Sequence, residues 1–335
     1  MANIINKEIL QSYILTTAKY DFSVYEKRIL FRIIEVNQYL IEGRELNKSY
    51  SFKKGDTLSY TMPISAFLNN EDDKNHKRVK LAFESLQKKI ISFDDKENKL
   101  WHSAGIVFDV KMNYGRAQEV NFKVADFIYE ALMDFSKGFK KYELKTAMQF
   151  ESVYSMRFYE LLSNQKTPIN YSIENLKEIF MIQNKYKLNS GFIRDVIDKA
   201  KNELDKCSPY TFHYEPIKSG RKITSIRFIP IHQPQFEDPE LKKQKALKQM
   251  SNRWYIPKNI EDYLKFNYEF TDKELNNNLS LFENLYNNLS EEELLDFLVE
   301  LKPSTIYADN PKGFLIGALK KKSEQIFEKK YLNKK

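Results

Sequence analysis

Cysteine is nearly absent: Cys207 stands alone among 335 residues, so no internal disulfide can form. That usage suits a reducing compartment, and core packing must hold the fold. Histidine is scarce as well. His76, His102, His213 and His232 are dispersed, with no His-x-His pair and no cysteine cluster to complete a zinc site. A nicking enzyme that works through a nucleophilic tyrosine needs such metal ligands beside it, so tyrosines alone do not point to nuclease chemistry. Phosphate-cradling Gly-x-x-x-x-Gly-Lys-Ser/Thr and dinucleotide-binding Gly-x-Gly-x-x-Gly stretches are also missing. The acidic run Glu71-Asp72-Asp73 lacks the alternating ligands of a calcium loop and reads as a solvated loop. No segment approaches the roughly 18 to 20 apolar residues that cross a bilayer, and Met1 to Glu8 has no basic region leading into an apolar stretch. The expectation is a cytoplasmic protein that is not an enzyme, with no cofactor, no metal and no membrane contact.

What is present is positive charge and aromatic bulk. The formal net charge is +8 with a pI near 9.0, which favours a polyanionic partner through counterion release. Phe (24) and Tyr (21) supply rigid core-forming area. At this length two or three domains can each bury a core.

One order of elements occurs twice. The first copy opens at Asp21-Phe22-Ser23-Val24-Tyr25-Glu26, where Ser23 and Glu26 have the spacing of a capping box ahead of Leu30, Ile33 and Ile34. A short extended piece over 58–62 leads to a small helix at Ile64, Phe67 and Leu68. The segment from His76 to Ile90 places Val79, Ala82, Phe83, Leu86 and Ile90 at spacings of three and four, which predicts one buried face. Lys77, Arg78, Lys80 and Lys88 fall off that face, able to meet phosphate or base edges. Residues 105–110 and 119–124 read as strands joined by Asn113-Tyr114-Gly115-Arg116.

The second copy starts with a helix over 150–162 whose Phe150, Tyr154, Phe158, Leu161 and Leu162 form an apolar stripe. Ser172 caps the next helix, with Ile173, Leu176 and Ile179 inward. A third helix from about Ser190 to Leu204 buries Phe192, Val196, Ile197, Ala200 and Leu204 and leaves Arg194, Lys199 and Lys201 for the exposed side. Strands at 210–214 and 223–229 then flank Lys218-Ser219-Gly220-Arg221-Lys222, where Gly220 can take a positive backbone angle at an exposed tip. Helix, short helix, basic helix and hairpin is the order of a winged helix. The major groove admits one helix, and adjacent basic loops can hold the backbone. Two ordinary helical domains with hairpins, or winged helices that bind protein, remain open at this point.

Phe150 to Leu162, Phe192 to Leu204 and Gly220-Arg221-Lys222, with Leu15 to Leu30 as the first opening, resemble the plasmid replication initiators that bind repeated origin sequences (iterons) through two winged-helix domains. The resemblance covers roughly residues 1 to 235. It implies an α+β fold of two tandem winged-helix domains, 1–135 and 136–235; a linker at 236–250 and a helical accessory domain at 251–335 are read from the residues that follow. It also implies double-stranded DNA with direct repeats as the partner, origin opening, and recruitment of the host replication initiator and replicative helicase. Dimers of the family repress their own gene while monomers occupy the origin. DNA contacts carry over to His76, Lys77, Arg78, Lys80 and Lys88, to Ser190, Arg194, Lys199 and Lys201, and to the hairpins with Arg116, Lys218, Arg221 and Lys222. A winged-helix transcriptional repressor is the second reading and a protein-binding scaffold the third. The sequence departs from the family pattern at the acidic insertion 69–75, which would repel phosphate, and at Phe180 to Tyr186.

Prolines at 230, 234 and 239 mark the end of the second copy. Beyond it, Thr271/Glu274 and Ser290/Glu293 have capping-box spacing. Residues 310–320 look like the end motif of several replication-associated accessory helices, while Gly317 and Ala318 equally suit a helix docked into the local core; Lys320-Lys321-Lys322 and Lys329-Lys330 could add nonspecific phosphate affinity, diluted by Glu324 and Glu328.

Overall fold

The computed structural model describes residues 6–17, 19–41, 46–54, 57–68, 75–95, 99–133, 139–243, 256–305, 308 and 310–329. The acidic run 71–73 and residues 244–250 of the expected linker lie outside these residues. Two compact units divide the chain: residues 1–35 with 48–238, and residues 36–47 with 239–335.

In the first unit, β1 (Glu8–Ser12) and α1 (Tyr13–Thr17) precede α2 (Val24–Ile41). The expected capping box starts α2: the Ser23 amide donates to Glu26 at 2.6 Å and the Glu26 amide donates to the Ser23 hydroxyl at 3.3 Å. Then come β2 (Ser51–Lys54), β3 (Leu58–Pro63), a short 3-10 turn at Ile64–Phe67 and α3 (His76–Lys88). They are followed by β4 (Ile90–Asp95), β5 (Leu100–Gly105), β6 (Phe108–Asn113), β7 (Glu119–Val124) and α4 (Asp126–Met133). The sheet runs β2-β3-β7-β6, all antiparallel. Register places Tyr60 opposite Phe122, and these rings stack at 5.2 Å. From α3, Phe83 meets Phe122 at 5.0 Å and Phe67 at 5.3 Å, so the helix is fixed to its sheet by aromatic area. Each such fully buried ring contributes roughly 1.5 to 3 kcal/mol relative to exposure.

The buried face of α3 is Val79, Ala82, Phe83 and Leu86, as the spacing predicts, but it ends there. Ile90 is 68% exposed and begins a strand. The helix stops at Lys88, and the backbone turns into the β4–β5 ribbon, in which Ile90 pairs with Gly105. Gly105 is required at that corner, because a Cβ there would sit 2.6 Å from the Gln87 carbonyl oxygen. The single strand expected over 105–110 is likewise two pieces, separated by buried Ile106 and Val107.

The second copy begins with β8 (Phe139–Glu143) and α5 (Leu144–Gln149), then α6 (Val153–Leu162), β9 (Ile169–Ser172) and α7 (Ile173–Ile179). Next are α8 (Asn189–Phe192), a π-helical turn at Ile193–Asp198 and α9 (Lys199–Cys207), which form one continuous helix, and then β10 (Tyr210–Ser219) and β11 (Lys222–His232). The sheet order is β10-β11-β9. Phe158 of α6 is the centre of this copy, with Phe180, Phe212 and Phe228 at 5.2 to 5.4 Å. Helix α6 starts at Val153 with Ser152 as its cap, later than the expected Phe150, because the Ser152 hydroxyl accepts from the Tyr154 amide at 3.2 Å. Tyr154, expected inside, is half-buried. The antiparallel β1–β8 ribbon, with Ile9 opposite Tyr142, spans the expected division at residue 135. Ile9, Phe31 and Ile34 therefore belong to the same core cluster as Phe158.

The other unit contains α10 (Lys258–Tyr268), α11 (Asp272–Asn277), α12 (Leu279–Asn288), α13 (Glu291–Thr305) and α14 (Pro311–Phe327). Both anticipated capping boxes form: Thr271 with Glu274 and Ser290 with Glu293. Ile260, Leu264, Phe282, Leu285, Leu294, Leu298, Leu315 and Leu319 make its core.

Candidate nucleic-acid interface

The first basic helix, α3, owes its exposed side to the periodicity that buries the opposite one. Lys77, Arg78, Lys80 and Lys88 are exposed and His76 is half-buried at the first turn. Lys80 lies 3.6 Å from Glu84, a solvent-exposed pair of small energetic weight. The hairpin after it turns through Asn113, whose side chain accepts the Gly115 amide at 2.8 Å, and presents exposed Arg116. At its base Lys123 and Lys111 lie 2.8 and 3.7 Å from Asp109. The hydrogen bond from Lys123 holds the Asp109 carboxyl below the usual carboxylate range.

In the second copy the 189–207 helix exposes Ser190, Arg194 and Lys199 and half-buries Lys201. Asp195 covers two of these cations. Arg194 Nε and Nη2 donate to its two oxygens at 3.0 Å each, and Lys199 lies 3.8 Å away. The Arg194 hydrogen bonds lower the Asp195 carboxyl and, reciprocally, raise the guanidinium. Lys201 is paired with Asp205. The tip of the following hairpin is built on Gly220, which has φ +62° and open space where a Cβ would stand. Lys218, Arg221 and Lys222 are exposed around it. Helix and hairpin are tied at the helix start, where the Asn189 amide group donates to the Ile223 carbonyl at 2.8 Å and accepts from Lys177 at 3.1 Å. Lower down, Tyr214 donates to Asp198 at 2.6 Å; burial and that carboxylate push the phenol up to about 12. The arrangement thus ties the start of the helix to the hairpin next to its tip, where Ile223 pairs with Lys218. Two copies of exposed helix plus basic hairpin can grip phosphates and offer Arg forks to base edges.

The initiator replication protein family describes this arrangement in two parts: its first winged-helix model matches residues 8–163 and its second matches 172–230. The chain belongs to this replication initiator family. A solved structure with the same fold is that of the Pi initiator protein, crystallised in complex with iteron DNA; it shares 16% identity and a TM-score of 0.54, covering 68% of this chain and 98% of that one. No curated relative matches the chain. The initiator's two winged helices are therefore those expected from the duplicated order, joined to a helical C-terminal unit.

What the residue pattern did not reveal in this initiator is the set of acids on the basic helix of the second copy. Asp195 and Asp205 stand at i,i+4 spacing to Lys199 and Lys201, and that spacing was the available signal. The β4–β5 ribbon was also missed. It exposes Leu100 (53%) and Trp101 (70%), and the β-branched Ile90-Ile91 pair was its only local mark. Of Lys320-Lys321-Lys322, only Lys321 is exposed. Lys320 is half-buried, with burial pushing its ammonium down to about 8, and Lys322 lies 5.0 Å from the Phe297 ring centre. Among the described residues no group of three or more His, Cys, Asp or Glu could hold a metal ion, and no helix is long and apolar enough to cross a membrane.

Proposed function

We propose that the protein is a plasmid replication initiator that binds repeated double-stranded DNA at its origin with both winged helices, through α3, the 189–207 helix and the two hairpins. The observation that carries this reading is the repeated pairing of an exposed basic helix with a basic hairpin in a chain of the initiator family. The Pi initiator, of the same fold, was solved with iteron DNA, which supports repeats as the target. The protein acts by binding and distorting the duplex, not by catalysis: deformation of an AT-rich neighbour draws on binding energy. Opening is followed by recruitment of the host initiator and replicative helicase, and dimers repress the initiator's own gene, all in the cytoplasm.

Footprinting of the purified protein on its plasmid tests this. Protection of tandem direct repeats beside an AT-rich segment is expected; protection of a single promoter palindrome would replace initiation with repression. Reversing Arg221 and Lys222 to Glu should reduce electrophoretic binding and the salt dependence by about two counterions, with circular dichroism unchanged. Full affinity in the folded variant would remove the hairpin from the interface.

A further inference from the structure

Helix α2 is buried on every side from Glu26 to Glu35, yet this stretch carries Glu26, Lys27, Arg28, Arg32 and Glu35. Two of these, adjacent in sequence, lead to opposite ends of the proposed interface. Glu26 holds Lys89, the residue that follows the last turn of α3, at 2.9 Å; Lys89 also donates to the Asp21 carbonyl at 2.9 Å. Lys27 pairs with Glu160 of α6, with both side chains 0% exposed. Lys27 also donates to the Tyr20 hydroxyl at 3.0 Å, and that hydroxyl donates to Glu160 at 3.3 Å. Arg157 lies over the Tyr20 ring at 3.9 Å and reaches Glu160 at 3.7 Å. Helix α6 packs on α9, and Glu203 of α9 accepts from the Glu151 and Ser152 amides at the α6 start, at 2.6 and 3.3 Å. Two sets of polar contacts, linked through the backbone of α2 and the body of α6, therefore join the end of one proposed DNA-facing helix to the other.

Stability alone does not account for such a cluster. Ion pairs taken out of water are often no more stabilising than apolar residues of the same volume, whereas their directionality fixes one arrangement. An apolar contact between α2 and α6 would tolerate sliding; a lysine held by a carboxylate and a phenol does not.

We infer that Lys27, Glu160 and Tyr20 are positioning residues that set the separation of the two DNA-facing helices, and so determine the spacing between the two halves of a repeat that the protein accepts. This rests on the proposed reading that both helices meet one duplex. Two rigidly joined modules gain avidity only when their geometry matches the target, so a loosened joint should bind the natural repeat less tightly and mind its spacing less.

The test uses the full chain with K27M, which leaves Glu160 paired with Arg157, and with Y20F, which keeps the ring beneath Arg157 and guards against misfolding of the first variant. Binding is measured on a duplex bearing one footprinted repeat and on the same duplex with one base pair inserted at its centre. The parent should lose affinity on the insertion by at least about tenfold, while K27M should fall by about tenfold on the natural repeat and distinguish the two by less than about threefold. Independently of DNA, spin labels at Ala117→Cys and Ser219→Cys in a Cys207→Ser background report the distance between hairpins by double electron–electron resonance. The distribution should broaden in K27M and, less so, in Y20F. An unchanged distribution and an undiminished insertion penalty in folded variants would overturn the inference. If the parent protected no duplex at all, the functional proposal would fail instead, and the distance measurement would still decide whether these residues hold the joint.

Discussion

The two basic helices are alike in placement and unlike in charge. On α3, Lys77, Arg78, Lys80 and Lys88 face a single acid, Glu84. On the 189–207 helix, Arg194, Lys199, Lys201 and Lys206 are matched by Asp195, Asp198, Glu203 and Asp205. One fold thus presents a strongly cationic helix and a neutral one. The first suits tight, sequence-indifferent attraction to the backbone. In the second, Asp195 holds the Arg194 fork in a set direction until a better acceptor displaces it, which suits discrimination between bases.

The harshest way to break the comparison is to remove one reader's support. Phe158→Ala empties the centre of the Phe180, Phe212 and Phe228 cluster and should lower stability by roughly 3 to 5 kcal/mol, measured by urea denaturation; a loss below half of that would mean the core of the second copy closes over the gap. Next in size is the contrast between readers. Lys77→Ala with Arg78→Ala should weaken binding to all duplexes and lower the salt slope by about two. Arg194→Ala should instead relax preference at one base pair by roughly tenfold while leaving nonspecific affinity nearly intact. Equal, sequence-independent losses from both variants in a competition assay would erase the distinction. The smallest effect belongs to Asp195→Asn, which frees Arg194 and Lys199 and should tighten binding to every duplex by about threefold, with a steeper salt dependence. The sign follows from the charge: the Arg194 hydrogen bonds hold the Asp195 carboxyl below its ordinary value, so it is ionised and neutralising at neutral pH until the substitution removes its charge.

Local chemistry was the legible part of this chain. Ser23 with Glu26, Thr271 with Glu274 and Ser290 with Glu293 cap helices where their spacing says they should, because a cap involves only residues within one turn. Gly220 is where a hairpin needs a left-handed residue. The expected lysines and arginines on both helices, apart from half-buried Lys201, are exposed for the same reason: 3.6-residue periodicity sorts one side from the other. What could not be read is nonlocal. The β1–β8 ribbon pairs residues more than a hundred positions apart, and nothing in Glu8 to Ser12 announces its partner. Lys27, Arg28 and Arg32 look like surface residues by type, yet Arg28 donates to the Met148 and Phe150 carbonyls and Arg32 to that of Ala66, all in the interior. A pattern rule that sends charge outward fails wherever a helix is enclosed and its charges are satisfied by distant backbone. Ile90 failed in the other direction, since a helix stripe and the first residue of a strand are indistinguishable when both are β-branched.

The wide turn at Ile193–Asp198 has a consequence for how that helix can change over generations. In a regular α-helix Arg194 and Lys199, five positions apart, would diverge by about 140° around the axis. A turn that closes from i to i+5 narrows that angle, while Asp195 meets both through ordinary spacings, as the neighbour of Arg194 and four positions before Lys199. Loss of a single codon within that turn would restore ordinary winding and leave the flanking helical segments in register, because the wide turn uses one extra residue for the same rotation. One in-frame deletion could therefore remove a single side chain from the helix while the segments on either side of it stayed as they were.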